Sequence, residues 1–484
     1  MKIYTKVIAV AALTLQVFTA SAKDYSPDFF GIKAGGTVLN TRAIQYGIDY
    51  ISKNGGGRLV FPAGKYLTGG IHIKSDVTLQ LDEGAVLLGS VSPYDYERQN
   101  TAFDHNFNTS LALILGLNQR NIGITGKGII DGQGKELAAA IGETLRKGLD
   151  KGGSVNRPDE DRRPMLINLF GCENVNIKNI TLKNSACWVE CYNQCKNVTI
   201  DSIRVESRAF WNNDGIDIVD CTDLKLTNSY FDSSDDGICL KSLNPDVANQ
   251  NILIQNNSMT TDASGIKFGT ASLGGFKNIR IINNKVFDTN RSAIALEAVD
   301  GATIENIEVD GIIGTNIGNA IFLRAGARKG TRKGKVENIS IQNVNVELKS
   351  EKNPIRNMPG IVIGGMPDQI INNVKLKNIT IKSPGGAEKT TAKISVDNLK
   401  DIPEKPNSYP EYNMFGELPS WGVFIRHASN VQFDGINISA AKVDFRTAIV
   451  LDDVHKTTFK KLTVKEPQSK KKIFAANSSE ISPK

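Results

Sequence analysis

Two neighbouring stretches, FWNNDGIDIVDC at 210–221 and SSDDGICLKS at 233–242, place Asp214 and Asp236 directly ahead of the same Gly-Ile pair, with Asp235 alongside. If the two stretches stack, three carboxylates meet at one point. Crowding raises the pKa of at least one of them, so one acid keeps its proton while a neighbour stays ionised. That division suits hydrolysis of a glycosidic bond, in which one carboxyl protonates the leaving oxygen and another activates water. Corner aspartates satisfying backbone donors and a calcium site are the competing readings. Both leave unexplained why two adjacent aspartates lie beneath a third.

The rest of the chain shows what could bring these residues together. CENVNIKNITLKNS from 172, CKNVTIDSIRVESR from 195, CTDLKLTNSYFDSS from 221 and NQNILIQNNSMTTD from 249 are versions of one pattern. It continues from 276, 336, 371 and 429. Asn174, Asn197, Asp223, Asn251, Asn278 and Asn306 recur at intervals of 23 to 28 residues. Alternating apolar and polar residues mark half-buried strands, and self-similarity at this period marks a solenoid. A second strand recurs in the same rhythm as DGIDI, DGICL, SGIKF, SAIAL and NAIFL. Its Ile216, Ile238, Ile266 and Ile294 are expected to stack along one interior wall, each contributing about 1.5–3 kcal/mol when buried. The fold class expected is all-β, a parallel β-helix. On the strand following the acids, Asp217, Lys241, Lys267, Glu297 and Arg324 fall on the opposite, outward face. Trp188 and Trp211 lie beside the acidic rungs, where an aromatic face could stack on a sugar ring.

The segment 28–90 differs from the repeats. TRAIQYGIDYISK has helical spacing and NGGG stops it, which predicts an N-terminal helix capping the open end of the solenoid. A second helical patch occupies 135–149. Residues 1–22 carry Lys2 and Lys6, an apolar run and a final Ala-Ser-Ala, the pattern of a secretory signal cleaved before Lys23. An apolar core of roughly a dozen residues is too short to span a bilayer comfortably. The expected organisation is therefore a 1–22 leader and one β-helix domain over 23–484, exported to the periplasm or outside the cell, with no membrane span. The formal charge is +7; loss of the leader's two lysines leaves a mild excess, compatible with a polyanionic partner. Nucleic acid is disfavoured, because no basic motif is interleaved with aromatics. Cys172, Cys195 and Cys221 share one repeat position and read as buried thiols stacked in a corner or as a disulfide; Cys187, Cys191 and Cys195 match no standard zinc spacing.

The NNDGID, SSDDGICLKS and SGIKFGTASLGGFKNI blocks resemble glycoside hydrolase family 28, the polygalacturonases and rhamnogalacturonan hydrolases, and 28–90 resembles that family's N-terminal cap. The resemblance covers about 28–345. It implies a right-handed parallel β-helix, inverting hydrolysis of pectin-type polysaccharide, no metal or other cofactor, and a monomer. Asp235 would be the general acid, with Asp214 and Asp236 holding and deprotonating the attacking water. Acid and base in inverting enzymes stand about 6.5–9.5 Å apart. The resemblance extends a substrate-binding set to Asn212, Lys241 and Lys267, with Trp211 beside them. Two departures stand out. Ala263-Ser264-Gly265 replaces the family's Gly-His-Gly, putting Ser264 in the histidine's place. Ala295-Leu296-Glu297 replaces Arg-Ile-Lys, putting Glu297 where a lysine holds a uronate carboxylate. Glu297 would then meet sugar hydroxyls or pair with a neighbouring base. A β-helix polysaccharide lyase and a non-catalytic glycan-binding β-helix are the alternatives. The insertions at 96–110 and 132–165, with Arg162 and Arg163, could wall off the cleft of an exo-acting enzyme or form solvated loops.

Overall fold

The computed structural model describes residues 23–97, 111–330, 333–350, 358–389, 395–467 and 472–483. The leader and most of the 96–110 insertion lie outside the described residues. The chain is all-β, and its main sheet is built from parallel strands that return to the same position on successive rungs. Glu173, Lys196, Thr222, Gln250, Lys277, Glu305, Glu337 and Asn372 stand opposite one another in turn. The repeats read from the sequence are thus the rungs themselves.

The interior column is continuous. Ile216, Ile238, Ile266, Ile294, Ile321 and Ile361 pair in sequence, and each is fully buried. Register is fixed by this column, because a slip of one residue would turn every isoleucine outward. The corners carry a matching polar ladder. Asn174, Asn197, Asn251, Asn278, Asn306, Asn338 and Asn373 all adopt left-handed backbone conformations. Most pass a side-chain amide hydrogen bond to the preceding rung, as in Asn197 to Asn174 at 2.7 Å and Asn306 to Asn278 at 3.2 Å. Asparagine suits the site because it tolerates positive φ and its amide can both donate and accept. All six cysteines are free and buried, so the corner column is one of thiols.

Residues Thr41–Lys53 form a helix that buries Ile44, Ile48 and Ile51 in the same core cluster as Leu59 and Ile71 of the first strands. A second helix, Gly134–Arg146, occupies the insertion between rungs. No helix among the described residues is long and apolar enough to cross a membrane.

The outward face of the second strand forms two columns. Asp217, Cys239 and Lys267 stand in register, and Glu297 pairs with Arg324 one column over. Both flanks of this charged stretch are apolar. Trp188, Cys187, Cys191 and Val219 cluster on the earlier rungs. On the later rungs Ala295, Phe322, Val362 and Phe424 are covered by Leu399, Ile402, Tyr412, Met414, Phe415 and Leu418. These last belong to a strap, residues 395–419, that lacks the strand pattern of the repeats. Between the flanks the pairing shifts: Leu240 faces Phe268 but Ser242 faces Ser272. The extra residues form a bulge at Gly269–Ala271, and bulges of this kind re-aim side chains.

Asn278 tests the corner ladder. Asn278→Ala is expected to lower the unfolding midpoint in a denaturant titration, at a cost of about 1–2 kcal/mol for an alanine held at positive φ. Asn278→Gly should lose less, since glycine adopts that conformation freely.

Candidate active site

Asp214 ends a tight turn that two buried side chains hold. Asn213 Oδ1 accepts from Ser207 Oγ at 2.9 Å and from the Ala209 and Phe210 amides at 3.1 and 3.3 Å. Its amide nitrogen donates to the Ser185 and Cys187 carbonyls. Arg163 donates to the carbonyls of Pro158, Ala186 and Trp211 and to Asn212 Oδ1 at 2.9 Å. Arg163 is therefore an anchor beneath the turn, not a cleft wall or part of a solvated loop.

One rung on, the Gly215 amide donates to the Asp236 carbonyl at 2.8 Å, which seats Asp214 over Asp236. The Asp236 amide donates to Asp235 Oδ1 at 3.1 Å, and the Ser233 and Thr261 hydroxyls donate to the Asp235 carbonyl. The carboxylates then divide the available cations. Lys241 Nζ donates to Asp214 Oδ2 at 2.8 Å and also to Asp217. It lies 3.2 Å from Cys239 Sγ and 4.0 Å above the Trp188 ring. Asp236 accepts from the Ser264 amide at 3.0 Å and faces Lys267 Nζ at 3.3 Å. Lys267 also donates to Tyr409 Oη at 3.1 Å and faces Glu411, whose carboxylate pairs with Arg291 at 2.6 Å.

This wiring sets the proton distribution. Burial, then the charges of Asp214 and Asp236, pushes Asp235 up to about 8. Burial acts on Asp236 as well, but Lys267, Arg291, Lys241 and the Ser264 amide outweigh it and hold that carboxyl below its usual value. Burial raises Asp214 against the pull of Lys241. Both lysines keep their protons, because the carboxylates around them overcome burial. One acid is thus protonated at neutral pH directly beside one that is ionised.

Asp214, Asp235, Asp236, Lys241 and Asn212 line a cleft of about 200 Å³, together with Glu160, Trp188, Thr270, Ala271, Arg328 and Tyr409. The other residues singled out in the sequence stand back from it. Lys267 and Ser264 are fully buried behind the acids. Trp211 is 57% exposed, with the Arg157 guanidinium 4.7 Å over its ring. Glu297 is fully buried, and neither carboxyl oxygen has a hydrogen-bond partner among the described residues. Burial drives its pKa well up against the pull of Lys267, and it stands apart from the cleft lining. Arg324 donates to the carbonyls of Gly364, Gly365 and Glu404, which makes it an anchor for the outer wall.

Sequence reasoning missed Arg291, Arg328, Tyr409 and Glu411, and reached Glu160 only as part of the 132–165 insertion that could wall the cleft. Thr270 and Ala271 were legible only as part of the SGIKFGTASLGGFKNI block. Asp214, Asp236 and Cys239 could each offer a ligand atom within 4.8 Å of the others. Lys241, bonded to Asp214 and Cys239, and Lys267, facing Asp236, already supply the positive charge that such a donor set would seek.

A solenoid whose outward face gathers protonated and ionised carboxyls in an open cleft is the arrangement of a glycoside hydrolase. Residues 58–401 match the profile of Glycosyl hydrolases family 28, and the chain belongs to that family. It is 26% identical over 463 residues to the exo-poly-alpha-D-galacturonosidase of Dickeya chrysanthemi, an alignment covering 87% of this chain and 72% of that protein. It is 27% identical over 348 residues to a probable polygalacturonase of Vitis vinifera, covering 70% of this chain but 62% of the relative's length. The Family 28 exopolygalacturonase of Yersinia enterocolitica shares the fold, with a TM-score of 0.70, 20% identity, and coverage of 92% of this chain and 78% of that one.

Lys241 holds two carboxylates, so its removal should strand both. Lys241→Met is expected to lower the unfolding free energy by about 3–5 kcal/mol, the cost of an uncompensated buried charge. Adding Asp217→Asn should restore part of that loss. Simple additivity of the two substitutions in a double-mutant cycle would show that the pair is uncoupled.

Proposed function

We propose that the protein is an exo-acting, inverting hydrolase that removes galacturonate-containing units from the end of pectin-type polysaccharide. The observation that carries this reading is the proton placement in the cleft. Asp235 holds a proton to give to the glycosidic oxygen. Asp214 and Asp236 hold the attacking water and take its proton, so the C–O bond breaks as the new one forms on the opposite face. The names of the Dickeya and Yersinia proteins support a galacturonate substrate and attack at chain ends. Glu160 of the 132–165 insertion and Tyr409 of the strap both line the cleft, so segments outside the repeats wall it, which favours attack at a chain end.

In this reading Asn212, Lys241 and Trp211 belong to the substrate-binding set at the cleft and its rim, whereas Lys267, Ser264 and Glu297 act from behind the acids. The solenoid coils right-handed, helix Thr41–Lys53 caps its first rung, and the chain from 23 onward works as one exported monomeric domain after loss of the leader. No cofactor takes part.

Asp235→Asn is expected to lower kcat by roughly 10²–10⁴-fold, the usual worth of a positioned general acid. Wild-type activity on polygalacturonate should fall as pH rises through about 8, where Asp235 loses its proton. Proton NMR of the first turnover should show the inverted anomer, with monomer or dimer as the earliest product. A ladder of intermediate oligomers would exclude end-on attack, and ultraviolet-absorbing products would point to a lyase.

A further inference from the structure

The family's carboxylate-binding lysine has no counterpart at its usual rung, because that position is Glu297 and its carboxyl is buried. Lys241 and Lys267 are engaged with the catalytic acids. We infer that Arg328 is the residue that reads the uronate carboxylate of the substrate, an assignment that rests on the galacturonate reading above.

Three features favour it. Arg328 lines the cleft wall beside Thr270, Ala271 and Tyr409, and its side chain is 17% exposed. Its Nε and Nη2 donate to the two oxygens of buried Asp300 at 2.9 and 2.6 Å. Asp300 is itself fixed by the Ser272 amide at 3.2 Å. A guanidinium clamped along one edge presents its remaining N–H groups in a fixed direction, and such a fork matches a carboxylate better than a freely rotating ammonium does. The loop carrying it is also tied to the outer strap, where the Ala327 amide donates to the Pro406 carbonyl at 3.1 Å. One wall thus delivers Tyr409, with an aromatic face for the ring, and Arg328, with a charge for the carboxyl.

The test is hydrolysis of oligogalacturonate competed by galacturonate or by its methyl ester, in wild type, R328Q and R328K. Wild type should be inhibited more strongly by the acid than by the ester. In R328Q the ratio of the two inhibition constants should collapse by roughly ten- to hundredfold, the worth of one charged hydrogen bond. R328K, which keeps the charge but loses the fork, should fall between, and it decides the matter if R328Q melts before assay. An unchanged ratio in the variants, or no preference for the acid in wild type, overturns the assignment. A wild type that hydrolyses no galacturonate oligomer overturns the substrate reading itself, and the anchor with it.

Discussion

Parallel stacking in register is the constraint on which the rest of this structure depends. Neighbouring strands lie about 4.8 Å apart, so equivalent positions on successive rungs are forced into contact whatever their charge. Asp214 above Asp236 is a direct result, fixed by the backbone bond from Gly215 to the Asp236 carbonyl. In a globular fold such a pair could relax apart. Here it cannot without breaking the isoleucine column on the other side of the same strand.

The repulsion is met by the adjoining columns. Lys241 and Lys267 occupy the outward positions next to the acids and are themselves buried, which only their carboxylate partners make tolerable. This explains why the charged stretch is short and bracketed by apolar clusters around Trp188 and around Phe322 and Phe415. The clusters exclude water from either side of the site and so strengthen every interaction within it. The unequal division of cations is what matters chemically. Asp214 and Asp236 each face an ammonium, whereas Asp235, beside both, is left to keep a proton.

The sequence revealed the parts of this arrangement that repeat. Alternation and the Asn positions announced the rungs, the GI pairs announced the isoleucine column, and the acids could be placed because they precede those pairs. What it hid is material that does not repeat. Tyr409 and Glu411 reach the site from a strap more than 100 residues along the chain, and nothing in YPEYNMFGELPS marks a destination. Arg163 was legible only as a cleft wall or a solvated loop and Arg324 only as an outward base beside the acids, because most arginines are exposed, yet carbonyl oxygens hold both of them in the interior. Glu297 is instructive in another way. Its outward position was legible, but outward on this rung means beneath the strap, and burial there depends on a contact that no local pattern encodes.

The central claim is that one aspartate keeps its proton because burial keeps water from it and carboxylates stand beside it. It can be measured without any substrate, by following carboxyl carbons in a sample carrying ¹³C-labelled aspartate, with Asp235→Asn to assign the resonance. The account requires Asp235 to titrate near 8 and to move down when Asp214 or Asp236 is replaced by asparagine. A midpoint in the ordinary carboxylate range of about 4, unaffected by either replacement, would contradict it.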